Sequence, residues 1–71
     1  MQISVAIPVY NSEASLRPLV ERLKPVLDAV ADAYEVVLVN DGSRDMSWQA
    51  IQSLAAEYSW VRGINLMRNY G

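Results

Sequence analysis

The chain contains no cysteine and no histidine. Without cysteine it has neither a disulfide framework nor a thiolate metal site to staple it. Without histidine it lacks the commonest general base and the commonest metal ligand. Its six basic residues are scattered among eight acidic ones, for a formal net charge of -2. No basic patch results, so a nucleic-acid partner is not expected. No apolar run approaches the roughly 18 residues of a membrane span. The start, Met1-Gln2-Ile3-Ser4, has no basic n-region and enters a strand at once. A signal peptide is therefore not expected, and the segment reads as cytoplasmic. Low-complexity tracts, linkers and heptad seams are missing too. So are the dinucleotide fingerprint G-x-G-x-x-G and the phosphate-cradling G-x-x-x-x-G-K-[ST]. Pro8-Val9-Tyr10-Asn11 stands where those folds need glycines. Any phosphate is left to a metal or to basic residues beyond residue 71.

What is present is an apolar chain of 71 residues, 52% hydrophobic. That is a globular composition in a small chain. At this size a single core supplies only roughly 3–5 kcal/mol. The expectation is the opening segment of a longer protein, and Arg68-Asn69-Tyr70-Gly71 reads as a strand exit. The most telling stretch is Val36-Val37-Leu38-Val39-Asn40-Asp41-Gly42-Ser43. A short, β-branched apolar run reads as a buried strand of a parallel sheet. Ligands of open α/β sheets bind beyond the carboxyl ends of such strands. Asp41 falls there, on a short turn with Gly42. Ile3 to Asn11 repeats the arrangement.

The spacing predicts strands over 2–8, 35–40 and 61–67. Pro8 cannot donate to a ladder, so pairing should end there. Leu16, Leu19, Val20, Leu23, Val26, Leu27 and Val30 give a first helix one apolar face. Ser15 is the expected N-cap, with Pro18 in the first turn. Pro25 falls mid-helix and should bend it. The helix should end near 31–33. Trp48, Ile51, Leu54, Ala55 and Tyr58 form the face of a second helix, capped by Ser43 or Asp45. Gly63 is a weak point in the third strand. The order β-α-β-α-β with helical crossovers predicts parallel strands. The spatial order is 3-2-1 or 2-1-3, with 3-2-1 favoured and both helices then on one face.

Each polar residue also has a plain structural reading. Asp41 followed by Gly42 is a common turn dipeptide, against its position at a strand end. Tyr10 can simply pack, and Asn11 and Ser12 can simply turn the chain. Arg44 and Asp45 read as solvent-facing or capping residues. Arg68, just past a strand end, points toward the same rim as Asp41. Trp48 and Trp60 read as packing residues.

Three motifs in order nevertheless carry a specific resemblance. They are Ala6-Ile7-Pro8-Val9-Tyr10-Asn11, then Val39-Asn40-Asp41-Gly42-Ser43-Arg44-Asp45, then Arg68-Asn69-Tyr70-Gly71. Together they resemble the start of family 2 glycosyltransferases of the GT-A (Rossmann-like) fold. The likeness is to the polyprenyl-phosphate branch of dolichyl-phosphate mannose synthases and undecaprenyl-phosphate sugar transferases. It covers all 71 residues as a partial domain, a nucleotide-binding half that stops before the metal motif.

The resemblance implies a nucleotide-sugar donor whose base is lined by Pro8 and Tyr10 and bordered by Val39. Asp41 would accept a hydrogen bond from base or ribose, with Arg68 a rim contact. Where the family often has Glu after Tyr-Asn, this chain has Ser12 followed by Glu13, and either could reach the nucleotide. Where the family often has Asp-Asp-Gly-Ser, the first Asp is Asn40. The resemblance further implies Mg²⁺ or Mn²⁺ held by an Asp-x-Asp motif beyond residue 71, where the metal neutralises the leaving diphosphate. It implies a lipid-phosphate acceptor, later membrane segments, and a place on the cytoplasmic side of the inner membrane. No catalytic residue is expected within the segment, and a piece this small should self-associate. The competing readings are a non-catalytic α/β nucleotide-binding or interaction module and a GT-A nucleotidyltransferase. The latter usually carries a Gly- and basic-rich loop after the first strand, which this chain lacks.

Overall fold

A computed structural model describes residues 1–42 and 44–66. The elements are β1 (Gln2–Val9), α1 (Glu13–Val30), β2 (Ala33–Asp41), α2 (Ser47–Glu57) and β3 (Val61–Leu66). All three strands pair in parallel in the order β1-β2-β3, with β2 central. This is the favoured order, and it follows from two helical crossovers that each advance the sheet by one strand.

Register divides the residues into two faces. Val5 lies opposite Val36, and Ile7 opposite Leu38. Val36 in turn meets Val61, and Leu38 meets Gly63. These residues share the core with Leu16, Val20 and Leu27 of α1 and with Ile51 and Leu54 of α2. Both helices therefore cover the same face, as expected. The other face alternates outward: Ala6, Pro8, Val37, Val39, Ile64 and Leu66. Ile64 is 45% and Leu66 41% exposed.

Several boundaries differ from the sequence reading, each for a physical reason. Pairing runs through Pro8, which lies opposite Val39, and continues to Val9 opposite Asn40. Among the described strands β1 is an edge, where a missing N–H is tolerated. Asp41 is the last residue of β2 and lies opposite Leu66, so it is in the ladder and not on the turn. Gly42 takes up the turn at φ +70°, a left-handed conformation that suits glycine.

The first helix begins at Glu13 with Ser12 at the N-cap, not at Ser15. The N–H groups of Ser12 and Glu13 find acceptors at the start of α2, on the same face of the sheet, which allows the earlier start. Pro18 consequently lies inside the helix, past its first turn, and Pro25 lies mid-helix as expected. The helix ends at Val30, close to expectation. Gly63 is required by close packing and is not a flaw. A Cβ there would lie 2.5 Å from Ile51 Cγ2 and 3.2 Å from Trp48 Cζ3. The expected strand residue Met67 and the rim residue Arg68 lie outside the described residues, as does the candidate cap Ser43.

Candidate functional site at the carboxyl ends of the strands

The alternation of β2 separates its last two residues. Asn40 faces the helices and is 4% exposed. Its amide Nδ2 donates to Asn65 Oδ1 at 2.9 Å, bridging β2 to β3. Asp41 faces the opposite way, onto the helix-free face, and is half-buried with its Oδ1 inaccessible to solvent. Val39 lies two residues back on that face, directly opposite Pro8 of β1. Pro8, Val39 and Asp41 thus form one surface: two apolar groups at about strand spacing, ending in a carboxylate. Tyr10 follows one residue past β1 and is 59% exposed.

Ser12 and Glu13 belong to a different part of the rim, the start of α1. Ser12 Oγ donates to the Tyr10 carbonyl at 2.8 Å. The Ser12 N–H donates to Ser47 Oγ at 2.9 Å, and the Glu13 N–H to Asp45 Oδ2 at 3.3 Å. Asp45 Oδ1 accepts the Ser47 N–H at 3.0 Å and also the Ser47 hydroxyl. Ser47 is fully buried. The hydrogen bond from the Ser47 hydroxyl, joined by the backbone N–H groups of Ser47 and Glu13, holds the Asp45 carboxyl below the usual carboxylate range; partial desolvation opposes this.

The sequence reads Asp45 as a solvent-facing or capping residue, but the N-cap of α2 is Met46, without a side-chain cap hydrogen bond. Asp45, one residue earlier, accepts instead from the N–H of Ser47, the first helical residue. It also serves the start of α1, which nothing local in sequence indicates. The Ser47 link and the Asn40–Asn65 bridge have no local sequence signal either. Ser47 reads simply as the first residue of a helix, and only the strand register brings Asn65 beside Asn40.

The geometry bears on anion binding. In dinucleotide folds a diphosphate sits on free N–H groups at a helix N-terminus. Here the N–H groups of Ser12, Glu13 and Ser47 already donate to protein acceptors, a carboxylate among them. A second negative group is disfavoured beside Asp45. Among the described residues the rim thus offers a carboxylate acceptor and apolar contacts on one face, and no prepared phosphate cradle at Ser12, Glu13 and Ser47. The sheet borders two open depressions, only one of them beside this surface. One of about 200 Å³ borders Pro8 and Ser12, between β1 and α1. A larger one of about 350 Å³ lies at the other end of the sheet, around Gln2, Ser4 and Glu35. The larger one is remote from the strands' carboxyl ends, where α/β sheets bind ligands. Among the described residues no group of three or more Asp or Glu could hold a metal ion. No described helix is long and apolar enough to cross a membrane.

Comparison with known proteins gives a consistent picture. A family model described as Glycosyl transferase family 2 matches residues 4–71. An undecaprenyl-phosphate 4-deoxy-4-formamido-L-arabinose transferase of Shewanella sediminis is 51% identical over 97% of this chain and 21% of its own length. A protein of the same name from Aeromonas hydrophila is 49% identical over 97% of this chain and 22% of its own length. An uncharacterized glycosyltransferase of Bacillus subtilis, YkcC, is 37% identical over 100% of this chain and 22% of its own length. The chain spans about a fifth of the length of these curated relatives.

Proposed function

The chain belongs to glycosyl transferase family 2, and on that premise we propose that it forms the donor-recognition part of a glycosyltransferase. The enzyme moves a sugar from a nucleotide-sugar donor to a polyprenyl phosphate at the cytoplasmic face of the inner membrane. The acceptor class is drawn from the undecaprenyl-phosphate transferases it resembles. The family match favours this reading over a non-catalytic module.

One observation carries the assignment of the donor side. Pro8, Val39 and Asp41 share the helix-free face at the carboxyl ends of β1 and β2. The apolar pair suits the face of a base, with Tyr10 beside it. The Asp41 carboxylate suits a base N–H or a ribose hydroxyl, both of which need an acceptor once water is excluded. Ser12, Glu13 and Arg68 are assigned to the periphery of the nucleotide. The diphosphate has no cradle among the described residues, and these residues do not fit a divalent metal either. The Mg²⁺ or Mn²⁺ that would neutralise the leaving diphosphate is assigned to other residues, as are the catalytic groups and membrane segments.

The test is a calorimetric titration of uridine and guanosine diphosphates into the full-length protein and its Asp41→Ala variant. Loss of a hydrogen bond to a charged group costs about 1.5–3 kcal/mol, so affinity should fall about tenfold to a hundredfold. Equal affinity in the two proteins would remove Asp41 from the site and leave it as the last ladder residue of β2.

A further inference from the structure

We infer that Asp45 and Ser47 are positioning residues for the donor nucleotide: they tie the turn after β1 to the turn after β2 and fix the gap across which base and ribose are held. The inference rests on the donor-site reading above. It goes beyond that reading by assigning a role to two side chains on the opposite side of the sheet from Asp41.

The β1–β2 ladder ends at Val9 opposite Asn40. Beyond it, backbone pairing no longer holds Tyr10 relative to Asp41. Three hydrogen bonds between the two turns take over. The Ser12 N–H donates to Ser47 Oγ at 2.9 Å, the Glu13 N–H to Asp45 Oδ2 at 3.3 Å, and the Arg44 N–H to Asn11 Oδ1 at 2.8 Å. Within this set the Ser47 hydroxyl accepts from Ser12 and donates to Asp45, making a relay from one turn to the other. Ser47 is 0% exposed, so water does not compete for it.

The turn being held is a strained one. Asn11 has φ 46°, a left-handed conformation that asparagine tolerates but few other residues adopt. Free of its cross-turn contacts, this segment has lower-energy conformations open to it, and Tyr10 would move with it. Binding sites need their groups held to about half an ångström. The latch is thus matched to a site split between two strand ends.

The two carboxylate oxygens of Asp45 do separate jobs. Oδ1 accepts from Ser47 at the start of α2, whereas Oδ2 reaches α1 through Glu13. Asp45→Asn keeps an oxygen for the Ser47 N–H and puts an NH₂ donor toward the Glu13 N–H, so it cuts the link to α1 while sparing the contact at the start of α2. Ser47→Ala breaks the relay at its centre and is the second, independent variant.

The experiment uses the full-length protein with uridine and guanosine diphosphates as probes, titrated by calorimetry well below each variant's melting temperature. Asp45→Asn and Ser47→Ala should each weaken the diphosphate that wild type binds by about three- to thirtyfold, the range expected from misplacing a contact by a fraction of an ångström. The same substitutions made on an Asp41→Ala background should cost less than about twofold, because residues acting through one another are not additive. A loss of equal size on both backgrounds, or no loss at all, overturns the inference while leaving the donor site intact. Failure of wild type to bind either diphosphate overturns the donor-site reading, and the inference with it.

Discussion

Asn40 and Asp41 are chemically close neighbours with opposite fates. Strand alternation sends Asn40 into the core and Asp41 to the open face. The sequence already implies that the two point apart. It does not reveal that Asn40 meets Asn65 from another strand. Asn40 Oδ1 is buried and accepts no hydrogen bond from the described residues. The bridge therefore depends on the one N–H donor. Asn40→Ala removes that donor and leaves Asn65 Oδ1 without it. The expected loss is about 1–3 kcal/mol of stability, read by urea unfolding of the full-length protein, with nucleotide affinity below the transition little changed. Gly63 makes the complementary point. In sequence a strand glycine signals weakness, because the packing of α2 against it cannot be seen. Gly63→Ala puts a methyl against Ile51 and Trp48 and should cost about 1–3 kcal/mol through overpacking, measured in the same way.

Among the elements, a period of 3.6 residues makes both helices legible and finds Leu16, Val20 and Leu27 of α1 and Ile51 and Leu54 of α2 on the buried faces. It also puts Leu19, Val26 and Val30 on the face of α1, and these three are exposed. The start of α1 is not legible. Its first donors are met by Asp45 and Ser47, more than thirty positions away, and local capping rules cannot see such partners. A second carboxylate ties the far end of α1. Asp28 accepts from Lys24 on its own helix at 2.8 Å and from the Tyr34 hydroxyl of β2. Its carboxyl is held below the usual range, chiefly by the Lys24 hydrogen bond and then by Tyr34. Asp45 is depressed likewise. A carboxyl whose folded pKa lies below its unfolded value adds stability that is complete above the unfolded value, near 3.9 for Asp, and is lost as pH falls through the folded one. Thermal melts taken from pH 6 down to about 2.5 should therefore show a steeper acid loss in wild type than in Asp28→Asn or Asp45→Asn. Parallel curves for all three proteins would remove these carboxyls from the acid response.

At the scale of the molecule, strand order and the shared helix face follow from handedness and connection length, which the sequence carries in its element order. The contacts across the rim needed the folded register. One face of the sheet meets no described element, and Ile64 and Leu66 remain exposed there beside Val37 and Val39. A contiguous apolar surface of this kind favours association. The 71-residue polypeptide on its own is expected to sediment as dimers or larger species, and Ile64→Lys should shift it toward monomer. A monomeric wild-type polypeptide that melts cooperatively would contradict this. The sheet order also matters while the chain is being made. Gln2 pairs with Ala33, and Val36 with Val61, so each strand joins the one synthesised just before it. At about 5–20 residues per second, β3 emerges only a few seconds after β2. It then adds to an open edge, and no earlier pairing has to be undone to admit it. The sheet can grow on the ribosome in the direction of translation, like a row laid from one end.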